Sequence, residues 1–168
     1  MLEFGMPTLI ENKTLEDNIA LCKELGLSFV ELNMNLPQYQ LENIDVEKLN
    51  RLKVENNIFY TIHLDENLNV NDFNSYVANA YLKTILDTIE IAKSLNVKII
   101  NMHLSKGVYF TLPDKKVYLF EQYKEKYLKS ITTFRNVVEN KLKSTDIRIC
   151  IENTNGYTNF QLEAIDIL

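Results

Sequence analysis

The sequence is poor in the residues that mark unusual protein classes. Its 168 residues include 2 cysteines, 3 prolines and 4 glycines. So little Pro and Gly excludes collagen-like and linker character, and 2 cysteines cannot build a disulfide framework. Cys22 and Cys150 each sit inside an apolar pattern, which predicts buried, reduced thiols and a cytoplasmic location. Arginine is confined to Arg51, Arg135 and Arg148. Arginine forks best onto phosphates. Its scarcity, with a net charge of −5, makes nucleic acid an unfavoured partner. No apolar run approaches the roughly 18 residues of a membrane span. The opening Met1-Leu-Glu-Phe-Gly lacks the basic flank and apolar stretch of a signal peptide, so no membrane partner is expected. P-loop, dinucleotide-binding, CxxC and nucleophile-elbow motifs are missing as well.

What remains is an ordinary globular composition, 46% hydrophobic and 24% charged, enough for one domain with a sizeable core. Short β-type runs alternate with helical patterns. Leu2–Met6 reads as a first strand. Thr14, with Asp17 three residues on, forms a capping-box pattern for a helix carrying Leu15, Ile19, Cys22 and Leu25, and Gly26 stops it. Phe29–Met34 is a second strand. Asp45 caps a helix that ends at Asn56-Asn57. Ile58–Leu64 is a third strand, rich in β-branched and aromatic residues. A loop from Asp65 to Asn74 leads to a long helix, Ser75–Leu95, and then to a fourth strand, Val97–Leu104. Ser105–Asp114 reads as a loop, Lys116–Lys143 as a second long helix, Ile147–Glu152 as a fifth strand and Asn153–Thr158 as a turn. A final helical pattern opens at Asn159.

Strand–helix alternation of this kind makes an α/β fold with a parallel sheet, because parallel strands need a crossover and helices supply it. An open doubly wound sheet competes with a parallel (β/α) barrel of TIM type. The barrel typically needs about 250 residues and eight units, of which this chain would supply about five. The apolar helical pattern Phe160–Leu168 runs to the last residue without a stop signal. Residues 1–168 are therefore expected to be a single domain, a partial (β/α) barrel or an open sheet, incomplete at the C-terminal side.

The only histidines, His63 and His103, both fall at the C-terminal end of a strand, each followed by Leu and a polar loop. Glu152 ends the fifth strand in the same way, and Glu31 lies towards the end of the second. Ligands of parallel α/β sheets bind at the carboxyl edge of the strands. Two imidazoles and a carboxylate on consecutive strands would meet at one rim, a donor set suited to zinc, manganese or another divalent ion. Either histidine alone reads equally well as a hydrogen-bonded loop residue. Glu152 is the stronger signal, since a carboxylate directly after Ile-Cys-Ile needs solvent, a partner or a metal.

Tyr60-Thr-Ile-His-Leu, Ile100-Asn-Met-His-Leu and Ile149-Cys-Ile-Glu-Asn-Thr-Asn-Gly resemble strands three to five of the xylose isomerase-like barrel superfamily. That superfamily holds sugar-phosphate isomerases and epimerases together with the endonuclease IV repair enzymes. Phe4-Gly, a helix, and Gly26-Leu-Ser-Phe-Val-Glu-Leu resemble its first unit leading into a second strand. The resemblance covers most of the chain but only about the first five-eighths of the barrel. It implies that Glu152 is a metal ligand and a catalytic proton-transfer group. It implies that His63 and His103 ligate metal or, with Glu31, line the substrate pocket. It further implies a divalent ion (Mn, Mg, Zn or Co) holding a small sugar or sugar phosphate while a carboxylate pair moves a proton through an enediolate. The family ligands of strands six to eight have no counterpart here.

Three functions follow as expectations. The first is a metal-dependent sugar or sugar-phosphate isomerase or epimerase. The second is an abasic-site phosphodiesterase with zinc, which the two histidines favour and the acidic charge disfavours. The third is an inactive half-barrel or binding module, whose unpaired strand edges would invite a homodimer. Lys106-Gly107 reads as a solvated loop before a phosphate site. Tyr118, Tyr123 and Tyr127 read as helix packing, and Lys124–Lys129 as a solvated helix face.

Overall fold

The computed structural model describes residues 2–153 and 156–168. Five parallel strands form its main sheet: β1 (Gly5–Pro7), β2 (Phe29–Asn33), β3 (Phe59–His63), β4 (Ile99–His103) and β7 (Arg148–Glu152), in the spatial order β1-β2-β3-β4-β7. Spatial order follows chain order with no reversal. A doubly wound sheet needs a point where the strand order turns back. A barrel wall does not, and this sheet is part of one.

Local chemistry sets the helix ends. α1 (Leu15–Glu24) starts on a capping box in which the Asp17 N–H donates to Thr14 Oγ1 at 3.1 Å and the Thr14 N–H to Asp17 Oδ2 at 3.2 Å. α2 (Val46–Asn56) is capped by Asp45, which accepts from the Lys48 N–H at 2.9 Å. α3 (Ser75–Leu95) is capped by Asn74. α2 and α3 stop at Asn57 and Asn96, both left-handed with φ of 52° and 54°, a conformation asparagine tolerates.

The outer sheet face packs Val30, Leu32, Tyr60, Ile62, Ile100 and Met102 against the helices, where Ile19, Ile85, Ile89, Ala92 and Phe134 close the main core. A second cluster of Leu104, Phe120, Tyr127, Ile131, Phe160 and Ala164 lies where α4 (Leu119–Gln122), α5 (Lys124–Leu142) and α6 (Asn159–Ile167) meet. The other sheet face is concave in the barrel sense and carries Glu31, Thr61, His63, Asn101, His103, Cys150 and Glu152. Register places Glu31 beside Thr61, His63 beside Asn101, Asn101 beside Cys150 and His103 beside Glu152.

Three expectations need correction. Ser105–Asp114 is not an irregular loop leading into a helix at Lys116. It opens an antiparallel hairpin of β5 (Tyr109–Thr111) and β6 (Lys116–Tyr118), so the helical region begins at Leu119 and breaks at Tyr123. The Pro113-Asp114 turn allows Leu112 N–H to reach the Lys115 carbonyl at 2.8 Å, and Tyr109 and Tyr118 then face each other with ring centroids 5.5 Å apart. Cys150 is exposed rather than buried, because β7 is the sheet edge and Cys150 points to its uncovered concave side. The first strand is only Gly5–Pro7, since Leu2 and Phe4 lie exposed before the pairing with β2 begins. Of the turn expected over Asn153–Thr158, Thr154 and Asn155 lie outside the described residues. Among the described residues, no helix is long and apolar enough to cross a membrane.

Candidate metal centre

β3, β4 and β7 each place one donor side chain at their last residue. Strand alternation explains which face it takes. In β3, Tyr60 and Ile62 turn outward into the core, so Thr61 and His63 must turn inward. In β4, Ile100 and Met102 do the same and leave Asn101 and His103 inward. In β7, Ile149 and Ile151 leave Cys150 and Glu152 inward. The donor atoms of His63, His103 and Glu152 all lie within 4.8 Å of one another.

One carboxylate oxygen is the meeting point. Glu152 Oε2 lies 3.0 Å from His63 Nε2 and 3.4 Å from His103 Nε2. The imidazoles stand edge to face, centroids 5.0 Å apart. The other nitrogen of His63, Nδ1, lies 2.7 Å from the Leu64 carbonyl. A carbonyl only accepts, so Nδ1 carries the proton and donates it there. In the neutral ring Nε2 is then a lone pair facing an ionised carboxylate, and two acceptors at this distance need a cation or a proton between them. Tetrahedral ligands with bonds of about 2.0 Å lie about 3.3 Å apart, close to both separations. The donor set and its spacing therefore fit a divalent first-row ion.

The surroundings grade from buried to open: the side chains of His63, His103 and Glu152 are 11%, 23% and 46% exposed. The Glu152 carboxyl is held below the usual carboxylate range, first by the hydrogen bond that the His63 ring gives it when both ring nitrogens carry protons. Partial burial opposes this, and the His103 charge adds to it. Glu152 thus stays ionised, the form a metal or a substrate proton requires.

Glu31 is not brought into this group. It lies one layer deeper on the concave face, where its Oε2 accepts from the Thr61 hydroxyl at 3.2 Å and from the Asn101 side-chain amide. Thr61 and Asn101, which with Glu31 and Cys150 line the lumen beneath the three donors, escaped the sequence reading, and Cys150 was read only as a buried thiol. The signal was present: each stands two residues before a donor, and two is the period of a strand face. Gly107 is built into its loop. Gly107 has φ of +67°, its N–H takes Ser105 Oγ at 3.0 Å, and the Phe120 ring fills the space a Cβ would need. Tyr127 is buried between Phe120 and Phe160, Tyr118 packs on Phe160, and Tyr123 is exposed at the helix break. Lys124 pairs with Glu163 at 3.0 Å, as a solvated face would.

Comparison with known proteins agrees with this architecture. No curated protein matches the chain significantly. Among solved structures, a 3-keto-D-glucoside 4-epimerase from E. coli superposes with a TM-score of 0.74 at 16% identity, over 98% of this chain and 65% of its own. A D-tagatose 3-epimerase-like protein gives 0.67 at 17%, over 92% and 54%. The IOLI protein, with a zinc atom bound, gives 0.63 at 16%, over 88% and 51%. At such identity the likeness concerns the fold, and the chain spans between about half and two thirds of the length of these proteins. Residues 19–168 match the model of one family over nearly the whole chain. The chain belongs to the xylose isomerase-like TIM barrel family.

Proposed function

We propose that residues 1–168 are the metal-holding part of a (β/α) barrel that isomerises or epimerises a small sugar or sugar phosphate in the cytoplasm. The carrying observation is the convergence of His63, His103 and Glu152 from three successive strands onto one carboxylate oxygen. With an ion bound, His63 and His103 would offer nitrogen lone pairs and Glu152 the negative charge. A divalent ion bound there would supply a Lewis acid that makes the carbon next to a sugar carbonyl easier to deprotonate. Glu152 is the proton carrier of this chain. Its Oε2 is engaged by both imidazoles, which leaves Oε1 to take a proton from carbon and return it. Glu31, locked through Thr61 and Asn101, presents a fixed polar group that would orient sugar hydroxyls. The solved epimerases that share the fold support this reading. A second acid–base group would come from staves beyond the five present here, so residues 1–168 form an incomplete single domain in this proposal.

The experiment is a calorimetric titration of the metal-stripped protein with Zn2+, Mn2+, Co2+ and Mg2+, repeated with His63→Ala and His103→Ala. Saturable binding of about one ion, lost in both variants, is the expected result. No binding by the parent protein sinks the metal site. Deuterium exchange from solvent into a ketose then tests the proton transfer. A second reading, a zinc phosphodiesterase acting at abasic sites, is favoured by the nitrogen-rich donor set. It predicts nicking of an abasic duplex and no exchange into sugars. Metal binding without either activity leaves the third reading, a half-barrel that only binds.

A further inference from the structure

α6 begins just after the segment that follows Glu152, and its third residue, Gln161, is 1% exposed. The Gln161 amide is used at both ends. Its Oε1 accepts the Thr158 N–H at 2.9 Å and the Thr158 hydroxyl at 3.0 Å, which closes a capping box at the helix start. Its Nε2 donates to the Leu104 carbonyl at 2.6 Å, across 57 positions of sequence. Leu104, buried at 8% exposure, directly follows His103. One buried side chain thus ties the segment leaving Glu152 to the segment leaving His103. The two histidines are held differently. His63 is oriented by its own Nδ1–H on the Leu64 carbonyl, whereas no bond of that kind holds the His103 ring among the described residues.

We propose that Gln161 is the positioning residue of His103. It clamps the backbone carbonyl one residue on and so sets the separation of the His103 imidazole from Glu152. The apolar neighbours of Leu104 give no directional alternative: Phe120, Tyr127, Ile131, Phe160 and Ala164 fill space without fixing a carbonyl. A mere helix-capping role would need only the Thr158 half of the amide. The Nε2 half reaches a strand end that belongs to a different unit of the barrel. The consequence for metal affinity rests on the metal-site reading above; the positioning of the ring does not.

The test uses two variants of the full chain and two readouts. Gln161→Met removes both halves at nearly constant volume, and Gln161→Glu keeps the acceptor for Thr158 while losing the donor to Leu104. Thr158→Val is the control, since it weakens the same cap without touching Leu104. The first readout is the imidazole NMR spectrum of the metal-free protein, which contains only two histidines. In both Gln161 variants the His103 resonances shift or double while those of His63 stay in place, and Thr158→Val leaves both unchanged. The second readout is Co2+ titration by visible absorption, in which the Gln161 variants bind about tenfold more weakly than Thr158→Val. An unmoved His103 spectrum in the Gln161 variants, or an equal shift in Thr158→Val, overturns the proposal. A moved His103 spectrum in a protein that takes up no cobalt supports the positioning role and overturns the metal reading instead.

Discussion

His63 and Glu152, 89 positions apart in sequence, meet through Nε2 and Oε2 at 3.0 Å, while the opposite nitrogen of His63 is committed to a backbone carbonyl. With the ring neutral, this tautomer leaves two acceptors face to face, which a proton or a metal ion must bridge. Glu152→Gln keeps the shape and replaces an acceptor with an amide that donates to Nε2. Zinc or cobalt affinity is expected to fall by about two orders of magnitude, the upper end of what even ligand-orienting groups are worth. Fluorescent-chelator competition measures it. An affinity within threefold of the parent's would show that Glu152 is not a ligand.

Metal should also stabilise the fold. The three donors come from separate strands and converge only in the native state. A free ion at about a hundredfold over its dissociation constant adds about 2.7 kcal/mol by mass action. Chelator treatment should remove this gain from a urea unfolding curve, and His103→Ala should be insensitive to the same treatment.

The Tyr127 hydroxyl is buried and has no hydrogen-bond partner among the described residues, and burial pushes its ionisation well above the ordinary range. Leaving a hydroxyl without water or partner is costly. Tyr127→Phe keeps the ring stacked on Phe120, centroids 4.6 Å apart, and removes the orphan. The variant is expected to be more stable by about 1 kcal/mol in denaturant titration. A loss of stability would reveal a partner for that oxygen.

Glu90 on α3 receives Lys93 from its own helix and Lys141 from α5, each at 2.8 Å. The Lys141 hydrogen bond, then that of Lys93, holds its carboxyl at about 2, well below the ordinary value of 4.5. A depressed folded-state value favours the native state above the ordinary value, and the contribution is lost as pH falls from about 4.5 towards about 2. The group is exposed, so the effect is small and screened by salt. Between about pH 6 and about pH 3, the thermal midpoint of Glu90→Gln should fall less steeply than that of the parent. Parallel curves at low salt would dismiss the α3–α5 clasp.

β1 and β7 are the two edges of the main sheet, and beside β7 a groove of about 700 Å3 exposes parts of Phe134, Val138, Leu142, Ile147, Ile149 and Ile151. Unpaired edges and apolar grooves favour association. We expect the purified 168-residue chain to sediment with an average mass that rises with concentration. Ile149→Lys should return it to monomer. A concentration-independent monomer would dismiss the homodimer.

The elements governed by local chemistry were legible without coordinates. The caps at Thr14 and Asp45, the stops at Gly26 and Asn57, and the extent of Ser75–Leu95 follow from residues acting on nearby backbone, whereas the Asn74 cap emerged only in the structure. The hairpin at Tyr109–Tyr118 was not legible, because Pro113-Asp114 is a weaker turn signal than an Asn-Gly pair, and Leu119 onward continued a helical stripe. Cys150 was misjudged for the opposite reason. Its apolar neighbours Ile149 and Ile151 are packed by helices, but alternation sends Cys150 to a face no other strand covers.

The sequence by itself located five strands to within a residue or so at their C-terminal ends, and therefore placed His63, His103 and Glu152 at the carboxyl edge of a parallel sheet. Strand period and helix capping are short-range effects, so they can be read from neighbours in the chain. Only the tertiary structure decided that strand order follows chain order, that His103 lies directly opposite Glu152, that Glu31 sits a layer deeper, and that Gln161 clasps Leu104. Those outcomes depend on register and on contacts between distant segments, where a shift of one residue would turn every side chain of a strand to the other face.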